Sequence, residues 1–229
     1  MYKTTLTLAM IWLLGNGAFA QQKQITEDEY GQLKTELEAI YDIDQGMRDT
    51  VSKLAKAKGP QHDDVKRYMG KTYGQDLKNL KKVETIVEKY GWLPKSKVGK
   101  KAAAALFYVI QHSKMDKMIK YLPLMKAMAD KGESFPRAVA LMEDRVLLHK
   151  HKKQRYGTQA WYRFKNGKQE FFVWPIEDVA NVEKRRKKVG FKGTVEEYAK
   201  KNNFAYDPNE PLPPKQKKGG KKQKFIIKK

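Results

Sequence analysis

Four places in this chain put ionisable or amide side chains where apolar residues are expected, and together they supply the parts of an acid/base centre. Asp44 falls in register with an apolar stripe running from Tyr30 to Leu54, and Arg48 follows one helical turn later. A buried carboxylate is costly unless it is paired and hydrogen-bonded. Asp44 and Arg48 must therefore satisfy each other, face a cavity, or do both. Gln111-His112 closes the most apolar segment of the chain, and Asp144-Arg145 interrupts another apolar run between Leu141-Met142 and Val146. The fourth place is Tyr156-Gly157-Thr158-Gln159, where strand alternation would send Tyr156 and Thr158 to the same face.

Imidazole exchanges a proton near neutral pH, which makes His112 the general acid/base, with Asp144 or Asp44 as the carboxylate that orients it. Arg48 and Arg145 would hold an anionic substrate or developing charge, and Tyr156 and Gln159 would position it. That set suits hydrolysis or transfer without a cofactor on an anionic, envelope-derived substrate. The same arginines, glutamines and tyrosine also read as a preorganised, non-catalytic pocket for a carboxylated or phosphorylated ligand or an envelope polymer. Neither Gly-x-Ser-x-Gly nor His-Glu-x-x-His occurs. The absence of cysteine excludes thiol catalysis, cysteine zinc sites and disulfides. A metal held by His112 with Asp144 and Glu177 is a lesser alternative, and no metal or cofactor enters the expected set. Glu177-Asp178 and Arg185-Arg186 are either a further part of the site or charges placed at the two ends of a helix dipole.

The elements that must position these residues are mostly helices. Thr26-Glu27-Asp28-Glu29 is a capping box that opens a long helix, and Gly59-Pro60 stops it. A short, weakly patterned helix over residues 65–73 is expected next, then a clear stripe of Leu77, Leu80, Val83, Ile86 and Val87 ended by Gly91. Residues 102–111 form a nearly all-apolar central helix. Met115, Met118, Ile119, Leu122, Met125 and Met128 lie on one face of the following one and read as core. Ser134 can cap a helix with Pro136 in its first turn. Residues 155–164 and 169–174 are rich in aromatics and flank Asn166-Gly167, which predicts one β-hairpin. Residues 179–188 return to helix, and Thr194-Val195-Glu196-Glu197 caps a last short one. The fold class is mainly α, a single-domain helical bundle with one β-hairpin near the C-terminal third.

Asp44-Gln45-x-x-Arg48, Gly91-Trp92-x-Pro94 with Gly99, Gln111-His112, Asp144-Arg145, Tyr156-Gly157-Thr158-Gln159 and Pro175-Ile176-Glu177-Asp178 together resemble an exported bacterial family, domain of unknown function sixty-six twenty-four. The resemblance covers roughly residues 25–200, and its most specific part is the Tyr-Gly-Thr-Gln element followed by Pro-Ile-Glu-Asp and the double arginine. The chain departs from the pattern in Leu93 between the Trp and the Pro, and in Ser113-Lys114 after Gln-His, where a small residue and an acid are common. The resemblance implies that these polar positions form one site. Gln45, Arg48, Gln111, Arg145, Tyr156, Thr158 and Gln159 would then be its ligand-binding residues, beside His112, Asp144 and Asp44. It implies no activity.

Composition places the chain rather than assigning it a reaction. Its 229 residues carry 48 Lys+Arg against 26 Asp+Glu, a net +22, and 40% hydrophobic residues, enough for a packed core but not for a multi-span membrane protein. Residues 1–20 read as a secretory signal peptide: Lys3, a largely apolar run Leu6–Leu14, and Ala18-Phe19-Ala20 before the cut. That run falls well short of the roughly 20 residues a membrane-spanning helix needs. The expected location is secreted or periplasmic, with no transmembrane segment in the mature chain. Residues 21–206 form the single domain, and 207–229 a disordered lysine-rich tail. The tail's eight lysines less Asp207 and Glu210 give it +6, which leaves +15 on the body once Lys3 is set aside. The tail either solubilises the protein or touches an anionic membrane peripherally. The expected partner is an anionic small molecule or cell-envelope component. Nucleic acid ranks below both readings, because export removes the usual partner and no RNA- or DNA-binding motif accompanies the charge.

Overall fold

The computed structural model describes residues 25–214. The signal-peptide reading and residues 215–229 of the tail lie outside the described residues. Helix α1 spans Glu27–Lys58, α2 Asp63–Tyr90, α3 Lys95–His112, α4 Met115–Asp130 and α5 Pro136–His149. The hairpin follows as β1 (Ala160–Lys165) and β2 (Lys168–Val173), then α6 (Val182–Lys188) and α7 (Val195–Asn202). The fold is mainly α, as the periodicity predicts. No helix among the described residues is long and apolar enough to cross a membrane.

Local chemistry sets the boundaries. Thr26 Oγ1 accepts the Glu29 N–H at 3.2 Å and the Glu29 carboxylate accepts the Thr26 N–H at 3.0 Å, so the predicted capping box is formed. Three acids in the first turn of α1 and lysines in its last complement the helix dipole. Thr194 and Glu197 repeat the device at α7. Asn166 and Gly167 both take positive φ, the conformation a two-residue hairpin turn requires, and β1 pairs with β2 from Ala160↔Val173 to Lys165↔Lys168.

Helix α3 is the hub, packed against α1, α2 and α4. Its Ala102, Ala103 and Ala105 are buried and let neighbouring helices come close, while Leu106 and Ile110 meet Leu37, Val83, Met125 and Met142 in the main core. The methionines of α4 are core, as predicted. Leu93 is fully buried. A smaller core of Val173, Ile176, Val182, Val195 and Ala199 joins the hairpin to α6 and α7.

Four local expectations change. Residues 65–73 and the stripe after them are one helix, α2, because Gly70 and Gly74 weaken the pattern without breaking the chain and the inner face is carried partly by Thr72 and Asn79. Leu77 is exposed and takes no part in that face. Ser134 is buried, but the residue at the N-cap of α5 is Phe135, and no side chain caps the helix. The first strand begins at Ala160, so residues 155–159 are loop and the strand alternation expected of Tyr156 and Thr158 does not exist. Beyond α7, residues 207–214 hold neither helix nor strand, and Glu210 pairs with Arg163 at 2.8 Å.

Candidate functional site

The polar residues singled out in the sequence fall into two groups. The first lies where α1, α2 and the end of α3 meet. Asp44 Oδ1 sits 3.0 Å from His112 Nδ1, and the Arg48 Nε–H donates to His112 Nε2 at 3.1 Å. A guanidinium can only donate, so Nε2 accepts and the ring proton sits on Nδ1, facing Asp44. The other arm of Arg48 donates to both oxygens of Asp76, at 2.9 and 3.1 Å, and Gln45 donates to Asp44 Oδ2 at 2.7 Å. Asp44 and Arg48 are 3.5 Å apart, so the expected pairing is present but subordinate to Asp76. Sequence reasoning missed Asp76. Its signal was the spacing of Thr72, Asp76, Asn79 and Val83, which becomes a helix face only once α2 is read as continuous.

Burial opposes charge on all three titrating groups here, and the partners decide the outcome. For Asp44, His112 and Arg48 outweigh burial and hold the carboxyl below its ordinary range. For Asp76, burial outweighs Arg48 and the value rises. For His112, burial outweighs Asp44 and the value falls, so the imidazole is neutral at pH 7. A group whose folded value lies below its unfolded one stabilises the fold above the unfolded value, about 6.5 for His, and loses that stabilisation as pH falls. Asp144 and Asp76 run the other way, their folded values being raised. Comparing the wild type with His112→Asn isolates the imidazole. From about pH 7.5 to about 5.5 the wild type is expected to lose stability relative to the variant, read as the difference between their melting temperatures. A flat difference would mean that the imidazole titrates alike in the folded and unfolded chain, and a gain on acidification that it is charged in the fold.

Asp44, Asp76 and His112 each bring a ligand atom within 4.8 Å of the others, a grouping that could hold a metal ion. The Arg48 guanidinium already bonds Asp76 and His112, so a divalent ion would compete with a built-in cation for the same groups. The alternative trio of His112, Asp144 and Glu177 is not brought together. Glu177 pairs with Arg155 at 3.0 Å, and Asp144 faces the 154–159 loop.

Asp144 organises that loop rather than orienting His112. Its carboxylate, fully buried, accepts from the backbone N–H of Arg155 (2.7 Å), Tyr156 (3.1 Å) and Thr158 (3.1 Å) and from the Thr158 hydroxyl (2.9 Å). Burial pushes the carboxyl up to about 6 against the pull of those donors. The loop is held from the other side as well. The Gln154 side chain donates to the Gln159 carbonyl at 3.0 Å and accepts the Gln159 N–H at 2.9 Å, Arg186 donates to the Tyr156 carbonyl at 2.7 Å, and the Tyr198 hydroxyl donates to the Thr158 carbonyl at 3.1 Å. Tyr156 contributes mainly its backbone, its ring lying 5.9 Å from the Arg155 guanidinium.

The second group lines a cavity of about 820 Å³ bounded by α3, α5, the 154–159 loop and the α6–α7 end. Gln111, Arg145, Thr158 and Gln159 border it, as do Phe107, Tyr108, Phe135, Phe191, Tyr198 and Phe204, none of them flagged in the sequence. Gln159 Nε2 is spent on the Thr158 hydroxyl at 3.1 Å and, more loosely, on the Leu141 carbonyl at 3.4 Å. Arg145 is only 5% exposed, yet among the described residues its one hydrogen bond is to the Gln111 carbonyl at 3.3 Å and its Nε has no partner. Burial alone lowers its value to about 10, and no carboxylate pairs with it among the described residues. Asp144 and Arg145, adjacent in sequence, go to different partners, the one to the 154–159 loop and the other to the Gln111 carbonyl. Tyr108 borders the cavity and stacks on His112 with ring centroids 6.0 Å apart, which puts one aromatic ring between the two groups.

No curated protein and no solved structure matches the chain. The model of a family of unknown function (DUF6624) matches residues 31–209, a span that takes in both polar groups and the cavity between α3 and α5. The chain belongs to that family.

Proposed function

We propose that this protein binds an anionic small molecule or cell-envelope fragment in the cavity between α3, α5 and the 154–159 loop, with Arg145 as the anchor. The observation that carries the reading is the state of Arg145. A guanidinium buried to 5% exposure, with a free Nε and no carboxylate, is destabilising by itself. It becomes favourable when an anion enters and accepts its unmatched donor. The volume, about 820 Å³, lies in the range of small-molecule sites, roughly 300–1,000 Å³. The test is binding of an anionic aromatic probe, 1-naphthoate, to the wild type and to Arg145→Met by calorimetry. Affinity lost in the variant supports the reading, and equal affinity for both proteins overturns it.

A second reading, acid/base hydrolysis or transfer without a cofactor, rests on the Asp44–His112 pair, in which a carboxylate fixes the tautomer of a neutral imidazole. In the resting arrangement Arg48 covers Nε2. An anionic substrate that draws the guanidinium away would uncover the base. Under this reading His112→Asn abolishes turnover and leaves binding intact, whereas a pure binding module has no turnover to lose. Export belongs to the same proposal, supported by the pattern of residues 1–20. N-terminal sequencing of protein recovered from medium or periplasm should begin at Gln21, and an intact Met1 there would overturn cleavage.

A further inference from the structure

We infer that the ligand of the α3–α5 cavity is an amphipathic monoanion: one carboxylate or phosphate-type head bound at Arg145, and an aromatic or aliphatic body lying against the ring wall. The inference rests on the proposal that the cavity binds an anion, and adds what the rest of the molecule must be.

The number of deep charges comes first. Arg145 is the buried cation of the cavity with an unmatched donor. Arg186, the other buried one, is already occupied: Nε and one terminal nitrogen donate to the Gly193 carbonyl at 3.3 and 3.2 Å, and the other terminal nitrogen donates to the Tyr156 carbonyl at 2.7 Å. Arg137, Lys192, Lys201 and the carboxylate-bearing Glu197 border the cavity from exposed positions, where water screens them. Depth therefore offers one vacancy for one negative head.

The wall then sets the body. Phe191 borders the cavity with two guanidinium groups near its ring, Arg137 at 5.2 Å and Arg186 at 4.8 Å from its centroid, which restrain it. Tyr198 spends its hydroxyl on the Thr158 carbonyl, so what it offers the cavity is its ring. Phe204 packs edge-on against Tyr198 with centroids 5.9 Å apart, and Phe107 and Phe135 complete the apolar side. A bare inorganic anion, a few times the ~30 Å³ share of one water, would leave most of the cavity unfilled and these rings wet. An apolar body buries them, and each CH₂ removed from water contributes roughly a three- to four-fold gain in affinity.

The experiment titrates the protein and Arg145→Met with sodium acetate, butanoate, octanoate and 1-naphthoate, with inorganic phosphate, and with 1-octanol as the uncharged match to octanoate. Expected for the wild type is an affinity that climbs from butanoate to octanoate by on the order of 100-fold, with octanoate preferred over octanol. In Arg145→Met octanoate and octanol should bind alike. If phosphate or acetate binds through Arg145 as tightly as octanoate, the site takes small anions and only the amphipathic inference fails. If octanol matches octanoate in the wild type, the charged head is wrong and the inference fails with it. If no anion binds in an Arg145-dependent way, the proposed function itself falls.

Discussion

Arg145→Met is expected to melt above the wild type, by roughly 3–10 °C, while losing the anionic probe. Arg145 is 5% exposed, has one long hydrogen bond at 3.3 Å, and leaves its Nε without a partner. Methionine keeps an unbranched stem and removes the desolvated charge. Replacing buried ionic groups by apolar side chains of similar volume stabilises other proteins by about 1–4 kcal/mol. Each kcal/mol moves the melting temperature of a domain this size by about 2–4 °C. What opposes the gain is the bond to the Gln111 carbonyl at the end of α3, a long neutral-acceptor contact worth about 1 kcal/mol or less. For the ligand, loss of a charge-assisted hydrogen bond should weaken binding about 10- to 100-fold. The two effects have opposite signs only if the charge is kept for a ligand. A variant that melts below the wild type would make Arg145 a structural group and leave the cavity without its anchor.

The fold was legible wherever its signals were local. A capping box, a glycine stop and an Asn-Gly turn act within a few residues, so α1, α7 and the hairpin could be read directly. Helix α2 was split because part of its inner face is polar and two glycines interrupt the pattern. The site was half legible for a related reason. Asp44, Arg48 and His112 each break an apolar pattern within their own helix, which marks them. Asp76 does not, because the carboxylate that Arg48 meets depends on which helix lies alongside. The fold divides these residues between the Asp44–His112 cluster, the 154–159 loop and the cavity. Successive helical residues point about 100° apart, so Gln111 borders the cavity while His112 faces Asp44, and Arg145 borders the cavity while Asp144 holds the loop. Adjacency in sequence implied a common destination that helical geometry does not provide.

Gly157→Ala should lower the melting temperature by roughly 5–15 °C and empty the cavity of its ligand. Gly157 takes φ +66°, a conformation that costs an L-residue about 1–2 kcal/mol. A Cβ there would stand 2.6 Å from Val195 and 2.9 Å from Ile176, two buried side chains of the smaller core that joins α7 to the hairpin. Overpacking of this kind adds about 1–3 kcal/mol. The loop cannot yield to the methyl group without breaking something else, because the residues on either side donate to Asp144 and their carbonyls accept from Arg186 and Tyr198. Displacing it moves Thr158 and Gln159, which line the cavity together with Arg145, and the ligand loses its fit. Gly70→Ala in α2 is the matched control, since nothing lies within 4 Å of a Cβ there and its backbone is helical. That change should stabilise by up to about 1 kcal/mol. Opposite signs for the same added methyl group would place the effect in the 154–159 loop, and a Gly157→Ala protein as stable as the wild type would mean that the loop is free to move and does not hold the cavity's shape.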